Sequence, residues 1–160
     1  MSLDGFIADH AGGVEWLTPY FSDEMDFAGF MAGIGAIVVG RTTYEVAGGF
    51  GGGGKRVVVL THRPMDGVET WDGDLRELAR RLKAECIGTI WAMGGGEAAR
   101  SLLDAEVIDE IDVNVVPTLL GSGTPLFPAR SGSDRLDLLE CQQYDNGCVR
   151  LRYGVARKDP

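Results

Sequence analysis

The segment WAMGGGEAAR, residues 91–100, places Gly94, Gly95 and Gly96 between an apolar run typical of a buried strand and a run typical of a helix. Glycine loses more conformational freedom on folding than any other residue, so three of them at one joint need a structural reason. The start of a helix presents unpaired N–H groups and a partial positive charge, and glycine lets a phosphate approach them without an intervening Cβ. The segment therefore predicts either a phosphate-binding turn or a tight turn without a ligand.

The glycine triplet satisfies only part of two common phosphate-binding patterns. Residues 94–99 fit G-x-G-x-x-G/A, but that pattern requires a following strand that ends in a ribose-binding acid, and the next strand here ends in Val116 and Pro117. A P-loop requires Gly-Lys-Ser or Gly-Lys-Thr, which does not follow these glycines. A Rossmann domain is therefore poorly supported, and a P-loop is excluded.

Length and composition indicate one ordinary globular domain. The chain has 160 residues, of which 44% are hydrophobic and 24% are charged, and this suits a single self-sufficient core. Its apolar runs are far too short to span a bilayer, and its first residues lack the basic and apolar segments of a secretory signal. We therefore expect a cytoplasmic protein that does not enter membranes.

Charge and metal-ligand content exclude further classes of protein. The net charge of -9 opposes binding to nucleic acid, because a phosphate backbone requires a basic protein surface. The three cysteines form no CxxC pair, and with only two histidines they cannot assemble a zinc site. We expect reduced cysteines, no metal and no nucleic-acid partner. Because the net charge is negative, a bound phosphate must be held by a local group of hydrogen-bond donors or positive charges.

Strand and helix patterns alternate along most of the chain. Asn146-Gly147 predicts a C-terminal hairpin, whose apolar residues face each other only if the hairpin contains a bulge or a longer turn. The alternation predicts a mixed sheet between helices. Strands are predicted over residues 2–8, 36–39, 56–61, 87–93, 108–116, 136–144 and 148–156. Helices are predicted over residues 22–31 with Ser22 as N-cap, over residues 41–47, after an Asp72 cap, and after the glycine triplet.

A second strand-to-helix joint carries groups suited to phosphate. In VVGRTTYE, Gly40 ends a strand, and Arg41, Thr42 and Thr43 begin the next helix. These residues add hydroxyls and a guanidinium to the free N–H groups of the helix start, a combination that suits a pyrophosphate. Two such joints together would suit one elongated ligand.

A third strand ends in Thr61, His62 and Arg63, whose donors could hold another phosphate, such as a ribose 2′-phosphate. A solvated turn is the alternative for each of these residues. Residues 48–54 contain six glycines in seven positions, and this composition predicts a flexible loop. We expect that loop to be a connector.

Five motifs occur in order along nearly the whole chain: MSLDGFIA, GRTTYE, VLTHR, WAMGGGEAARSLLDAEVIDEIDVNVVPTLLGSGTPLF and LRY. Together they resemble the dihydrofolate reductase-like family, and within it the branch that includes the C-terminal reductase domain of the bifunctional riboflavin-biosynthesis deaminase-reductase. The resemblance implies an α/β protein with a three-layer α/β/α fold, a mixed and mostly parallel sheet, and a C-terminal antiparallel hairpin. It also implies bound NADPH and commonly a homodimer.

The same resemblance implies which residues contact NADPH, and it implies a cis peptide bond between Gly94 and Gly95. The nicotinamide is assigned to Ile7 and Ala8. The pyrophosphate is assigned to Gly40, Arg41, Thr42 and Thr43, and a second segment closes over it: Gly94, Gly95, Gly96, Glu97 and Ala98. The adenosine ribose and its 2′-phosphate are assigned to Thr61, His62 and Arg63.

The reaction that the resemblance implies is hydride transfer to a C=N or C=O carbon of a pteridine, pyrimidine or related ring, in which the cofactor carries the chemistry. A proton must also reach the substrate. Asp4, in the SLDG motif, is the first candidate for polarising or protonating the substrate, and Glu24, on the first helix, is the second. Alternatively, Asp4 organises a turn with Gly5, and Glu24 is one more acid at a helix start.

Four aromatic residues could form the floor of a pocket for a planar ring, although core packing is the commoner use of such residues: Trp16, Tyr20, Phe27 and Phe30.

The chain also departs from its relatives in ways that bear on the substrate. Riboflavin-pathway reductases tend to carry a lysine and a glutamate where this chain has Phe6 and Gly94, and folate reductases lack SLDG and LGSGTPLF. The motifs therefore leave open which pteridine-, pyrimidine- or flavin-like molecule is reduced. A non-catalytic module that binds a nucleotide or a folate analogue is the competing hypothesis, and a purely structural dimer is the third.

Overall fold

A computed structural model describes residues 1–49, 52–129 and 131–156. The chain divides into two compact units. Unit 1 consists of Met1–Asp26 and Ile108–Pro160, and unit 2 consists of Phe27–Val107. The expectation of one domain stays a prediction.

Nine strands and four α-helices lie within the described residues. The strands are β1 (Phe6–Ala8), β2 (Ile34–Gly40), β3 (Arg56–Leu60), β4 (Glu69–Trp71), β5 (Thr89–Met93), β6 (Glu110–Val115), β7 (Thr124–Pro125), β8 (Leu136–Gln143) and β9 (Val149–Val155). The helices are α1 (Phe27–Ala32), α2 (Arg41–Val46), α3 (Leu75–Glu85) and α4 (Gly96–Asp104).

Unit 2 contains a parallel sheet with the strand order β4-β3-β2-β5. The middle strands β2 and β3 are short apolar runs, and Ile37, Val58 and Val59 on them are completely buried. Burial on both faces explains why these strands are continuously apolar rather than alternating. On α3, Leu78 and Leu82 follow helical spacing and are buried, so one face of this helix contributes to the core.

Unit 1 contains an antiparallel sheet with the strand order β6-β9-β8 and a separate antiparallel pair, β1-β7. The predicted C-terminal hairpin is present, and both expected irregularities occur in it. Its turn has three residues, since the N–H of Tyr144 donates to the carbonyl of Cys148 (2.9 Å), and Gly147 takes a φ of 83°. The register also shifts between Leu138 and Glu140, as a bulge requires.

The fold class is confirmed, because the chain is a mixed α/β protein with a parallel sheet and a C-terminal antiparallel hairpin. Several predicted boundaries were wrong. The helix predicted over residues 22–31 is interrupted by Asp26, which takes a left-handed φ of 38°. A short 3-10 turn, Asp23–Met25, therefore precedes α1, and Ser22 caps that turn.

Two further boundaries differ. The N-cap of α3 is Asp74 rather than Asp72, and its carboxylate accepts the N–H of Arg76 at 2.9 Å. The first strand begins at Phe6 rather than at residue 2, because Ser2 and Gly5 close a turn (3.0 Å from the Gly5 N–H to the Ser2 carbonyl). In the predicted glycine loop, Phe50 and Gly51 lie outside the described residues. In the described ranges, no helix is both long and apolar enough to cross a membrane.

The packing of α3 generates a stability prediction. Leu82 is completely buried, so Leu82→Ala should lower the free energy of unfolding by about 2–5 kcal/mol, through lost transfer energy and a cavity. Ile87 is 97% exposed, and Ile87→Ala should change that free energy by less than about 0.5 kcal/mol. Urea unfolding of both variants measures the difference, and equal losses would contradict the assignment of the α3 core face.

Candidate functional site

Two strand-to-helix joints lie side by side in unit 2. Strands β2 and β5 are parallel neighbours, with Val39 opposite Met93, so α2 and α4 begin next to each other at the carboxyl edge of the sheet. The N-cap residues are Gly40 for α2 and Gly95 for α4. A glycine cap has no side chain to occupy the N–H groups of the first turn, so both helix starts keep donors for a ligand.

Close contacts explain why small residues are needed at these joints. A Cβ added to Gly95 would lie 2.9 Å from Oγ1 of Thr43, and one added to Gly40 would lie 3.3 Å from the Cβ of Ala98. Gly94 and Gly95 also take φ values of 53° and 74°, a region that favours glycine. The first turn of α2 therefore packs directly against the glycine turn that begins α4.

The expectation of a cis peptide bond between Gly94 and Gly95 was wrong. Peptide bonds are trans throughout the described part of the chain. The two successive positive φ values reverse the chain direction between β5 and α4, so the turn forms with trans bonds only.

The third predicted phosphate site lies at the same edge of the sheet. Strand β3 pairs with β2 so that Leu60 lies opposite Gly40, and Thr61 follows immediately. The hydroxyl of Thr61 accepts the N–H of Arg63 at 3.1 Å and so fixes this turn. His62 and Arg63 are exposed. The structure thus brings together three of the predicted groups of cofactor-binding residues, which directly follow β2, β3 and β5.

The side chains at these joints differ in their ion pairing and in their exposure. Arg41 is ion-paired with Glu45 (2.7 Å), and both side chains are substantially exposed. Such a pair contributes about 0–1 kcal/mol, so a doubly charged ligand could compete for the guanidinium. Thr42 and Glu97 are exposed, whereas Gly96 is buried.

In unit 1, Asp4 connects two segments that are far apart in sequence. Its carboxylate accepts the hydroxyl of Ser2 (2.6 Å) and the N–H groups of Gly121 (2.7 Å) and Leu120 (3.2 Å). The Ser2 bond, followed by these backbone bonds, holds the pKa of Asp4 below its ordinary value. Asp4 therefore organises a turn, as the alternative interpretation expects, and it also holds a second segment against that turn.

Ile7 and Ala8 lie on β1, directly after this turn. Strand β1 pairs with β7, and the N–H of Leu126 donates to the carbonyl of Gly5 at 2.9 Å. Gly123 lies so close to Ala8 that an added Cβ would overlap the Ala8 carbonyl oxygen. The segment that contains Gly123 therefore lies against the strand to which the resemblance assigns the nicotinamide.

Glu24 lies beside the C-terminal hairpin. Its carboxylate is 3.4 Å from the N–H of Asp145, and the Asn146 amide donates to the carbonyl of Tyr20 at 2.7 Å. These bonds connect the hairpin turn to the segment around Glu24. Both acids chosen as proton donors are thus engaged by backbone N–H groups, and their catalytic role stays a prediction.

The four aromatic residues lie in two different settings. Trp16 and Tyr20 pack against the buried core of unit 1, and Tyr20 accepts the hydroxyl of Thr118 at 3.1 Å. Phe30 and Phe27 pack against Trp91 in unit 2, with ring centroids 5.1 and 6.3 Å away. Packing within each unit accounts for the partly buried rings, but Phe27 is 60% exposed and lies outside the core, so the ring-pocket expectation stays a prediction.

Sequence reasoning missed the partners of Asp4. Ser2 is completely buried, and its hydroxyl also accepts the N–H of Phe6 at 2.9 Å. The only signal for Leu120 and Gly121 was their place in the LGSG stretch, whose glycines indicate a turn. No local pattern links that turn to SLDG.

The family model, a curated relative and a solved structure were compared with this chain. The model of the family described as the RibD C-terminal domain matches residues 51–150. The uncharacterized protein YwjB of Bacillus subtilis is 31% identical over 96% of this chain and 92% of its own length. A crystal structure from Shewanella sp. PV-4, assigned to riboflavin biosynthesis, is 27% identical with a TM-score of 0.85, covering 98% of this chain and 96% of that one.

A more distant structure shares the fold alone. Dihydrofolate reductase from Enterococcus faecalis, complexed with NADP(H), has a TM-score of 0.71 and 17% identity, and the match covers 98% of this chain and 93% of that one.

The contacts of Asp4 generate a prediction about pH. The pKa of Asp4 is lowered from 3.8 in the folded state, so the stabilisation is present above that value and is lost as pH falls through the lowered pKa. Asp4→Asn should therefore unfold at lower urea concentration than the wild type at pH 7, and the difference should shrink below about pH 4. Asp66→Asn, at an exposed position, controls for the change in net charge. A difference that stays constant down to pH 3 would contradict the account.

Proposed function

Because the chain belongs to the RibD C-terminal domain family, we propose that it is an NADPH-dependent reductase that transfers a hydride to a pteridine-, pyrimidine- or flavin-like ring. The observation that carries the proposal is the pair of glycine-capped helix starts, α2 and α4, that lie side by side at the carboxyl edge of the parallel sheet. Ligands of open α/β sheets bind at this edge.

The pyrophosphate is the part of NADPH that these helix starts suit best. The first turns of α2 and α4 pack against each other there, and Thr43 adds a hydroxyl beside Gly95. The start of α4, the longer of the two helices, also carries a partial positive charge, which the exposed Glu97 in its first turn reduces. This local field can attract a diphosphate to a molecule whose net charge is -9.

We assign the adenosine end of NADPH to the turn after β3. Arg63 and His62 are exposed beside the same sheet edge, and a guanidinium can form two hydrogen bonds with a phosphate. A 2′-phosphate is what distinguishes NADPH from NADH. We therefore assign the preference for NADPH to this turn.

NADPH, when bound, supplies the hydride, so the protein has to orient the two reactants and exclude water. The resemblance assigns Ile7 and Ala8 on β1 to the nicotinamide. Phe6 stands where riboflavin-pathway reductases tend to carry a lysine, so we propose an acceptor ring other than the ribosylaminopyrimidine of that pathway.

One observation favours a second candidate, a nucleotide-binding module without turnover. The Asp4 carboxylate accepts three hydrogen bonds, which lower its pKa and make it a poor proton donor at neutral pH. A screen of NADPH oxidation with pterins, pyrimidines, flavins and quinones separates the two candidates. Turnover with any of these acceptors supports the reductase, and saturable binding without turnover supports the module.

The glycine turn before α4 generates a prediction about cofactor affinity. Gly95→Ala places a methyl group 2.9 Å from Oγ1 of Thr43, so Thr43 or the helix start must shift, at a cost of about 1–3 kcal/mol. We expect the Kd for NADPH, measured by tryptophan fluorescence, to rise roughly tenfold. Gly48→Ala is the matched control, because Gly48 has a similar φ (72° against 74°) but open space around it.

For the glycine prediction, equal Kd values for the Gly95→Ala and Gly48→Ala proteins would contradict the pyrophosphate assignment. If the wild type shows no saturation at millimolar NADPH, both the reductase and the binding module are excluded.

The turn after β3 generates a prediction about cofactor choice. Arg63→Ala should weaken NADPH binding by roughly tenfold to a hundredfold, because hydrogen bonds to charged groups contribute about 1.5–3 kcal/mol. The Kd for NADH should change little, since NADH lacks the 2′-phosphate. Arg80 is exposed on α3, and Arg80→Ala controls for the loss of one positive charge. Equal weakening of NADPH and NADH binding would rule out this role for Arg63.

A further inference from the structure

We propose that Asp4 is a positioning residue and not the proton donor. Its carboxylate holds the turn formed by residues 120–123 (the 120–123 turn) against Ile7 and Ala8, and so orders the residues that are assigned to the nicotinamide. The inference rests on the proposed function, because that function assigns Ile7 and Ala8 to the nicotinamide.

The first step is that the Asp4 site requires an ionised carboxylate. The hydroxyl of Ser2 accepts the N–H of Phe6 (2.9 Å), so its own proton points to Oδ1 of Asp4 (2.6 Å). Leu120 and Gly121 offer backbone N–H groups, which can only donate. All three partners of the carboxylate are therefore donors, and a protonated Asp4 would place a fourth donor among them.

The second step is that the 120–123 turn is fixed at both ends. Asp4 binds its first two N–H groups, and the pairing of Ala8 with Thr124 fixes the residue that follows it. Between these points Gly123 contacts the Ala8 carbonyl more closely than any residue with a Cβ could. The position of the turn relative to Ala8 therefore depends on β7 at one end. At the other end it depends on Asp4 and, two residues earlier, on the bond from the Leu3 N–H to the Thr118 carbonyl (2.9 Å).

The 120–123 turn and its neighbours form an exposed surface. Gly121 and Ser122 are exposed, as are Leu119 (70%) and Leu3 (64%) on either side of the Asp4 contacts. Exposed apolar side chains beside an ordered turn suit contact with a planar ring. Without the Asp4 bonds, the Leu120 and Gly121 N–H groups would lose their partners, and the Leu3–Thr118 bond would be the nearest remaining attachment to the SLDG segment.

Hydrogen–deuterium exchange with and without NADPH tests this proposal. In the wild type, NADPH should slow amide exchange over residues 118–126. In Asp4→Asn, exchange of the Leu120 and Gly121 amides should be at least about tenfold faster without NADPH, since an amide nitrogen replaces one acceptor oxygen. NADPH should then protect the segment much less, and its Kd should rise by a factor of about ten.

Asp9→Asn is the matched control. The Asp9 carboxylate accepts the N–H groups of Ala11 and Gly13, both at 2.8 Å, and so holds a turn of its own in unit 1. Because the Asp9 backbone lies against Gly123, the comparison is restricted to residues 118–121: this variant should speed exchange at the Ala11 and Gly13 amides and leave the amides of residues 118–121 unaffected. If Asp4→Asn does not fold, Ser2→Ala serves instead, because it removes one donor to Asp4 and leaves the two backbone bonds. It also removes the acceptor of the Phe6 N–H, so only exchange of the Leu120 and Gly121 amides is compared. Its effect on exchange should have the same direction and be smaller.

The outcomes separate the possible roles of Asp4. Faster exchange in Asp4→Asn with an unchanged Kd and unchanged NADPH protection would show a purely structural role and overturn the proposal. Unchanged exchange with loss of turnover would show a proton donor and also overturn it. If the wild type does not bind NADPH at all, the proposed function fails, and exchange without NADPH still shows whether Asp4 holds the 120–123 turn.

Discussion

A parallel sheet directs the starts of its following helices to one edge, and the candidate cofactor site depends on this constraint. In unit 2 the helices that follow β2 and β5 begin side by side, because the two strands are hydrogen-bonded neighbours. Gly40, Gly94 and Gly95 themselves place no side chain over the two helix starts. An acidic protein can hold a diphosphate there because the donors belong to the backbone and do not depend on the net charge.

Local patterns were sufficient to predict the elements that build this edge. The apolar run before Gly40, the glycine triplet and the leucine spacing of α3 each reflect contacts within a short segment. The Asn146-Gly147 hairpin was predictable for the same reason, including its bulge, because the apolar residues of the two strands matched only with a shifted register. The break at Asp26 was not predictable, because no residue pattern marks it: Asp26 takes a left-handed φ of 38°, and its N–H donates to the carbonyl of Asp23.

The Asp4 contacts show the limit of sequence reasoning most clearly. SLDG was predicted as part of a strand, with a turn at Asp4 and Gly5 as the alternative, and LGSG carried no structural prediction. The bonds that join the two segments connect residues 116 and 117 positions apart. Periodicity contains no information about such a pairing. The role of the Ser2 hydroxyl was equally unpredictable, because nothing in the sequence distinguishes a serine that is completely buried from one in a solvated turn. The sequence therefore left two interpretations of Asp4, proton donor or structural acceptor, and the three hydrogen-bond donors around its carboxylate support the second.

The most direct measurement of the central claim is a crystal structure of the protein grown with NADP+. The account predicts that the pyrophosphate oxygens accept hydrogen bonds from backbone N–H groups at the starts of both α2 and α4, with the 2′-phosphate beside Arg63. A pyrophosphate bound elsewhere, or contacts to only one of the two helix starts, would contradict it.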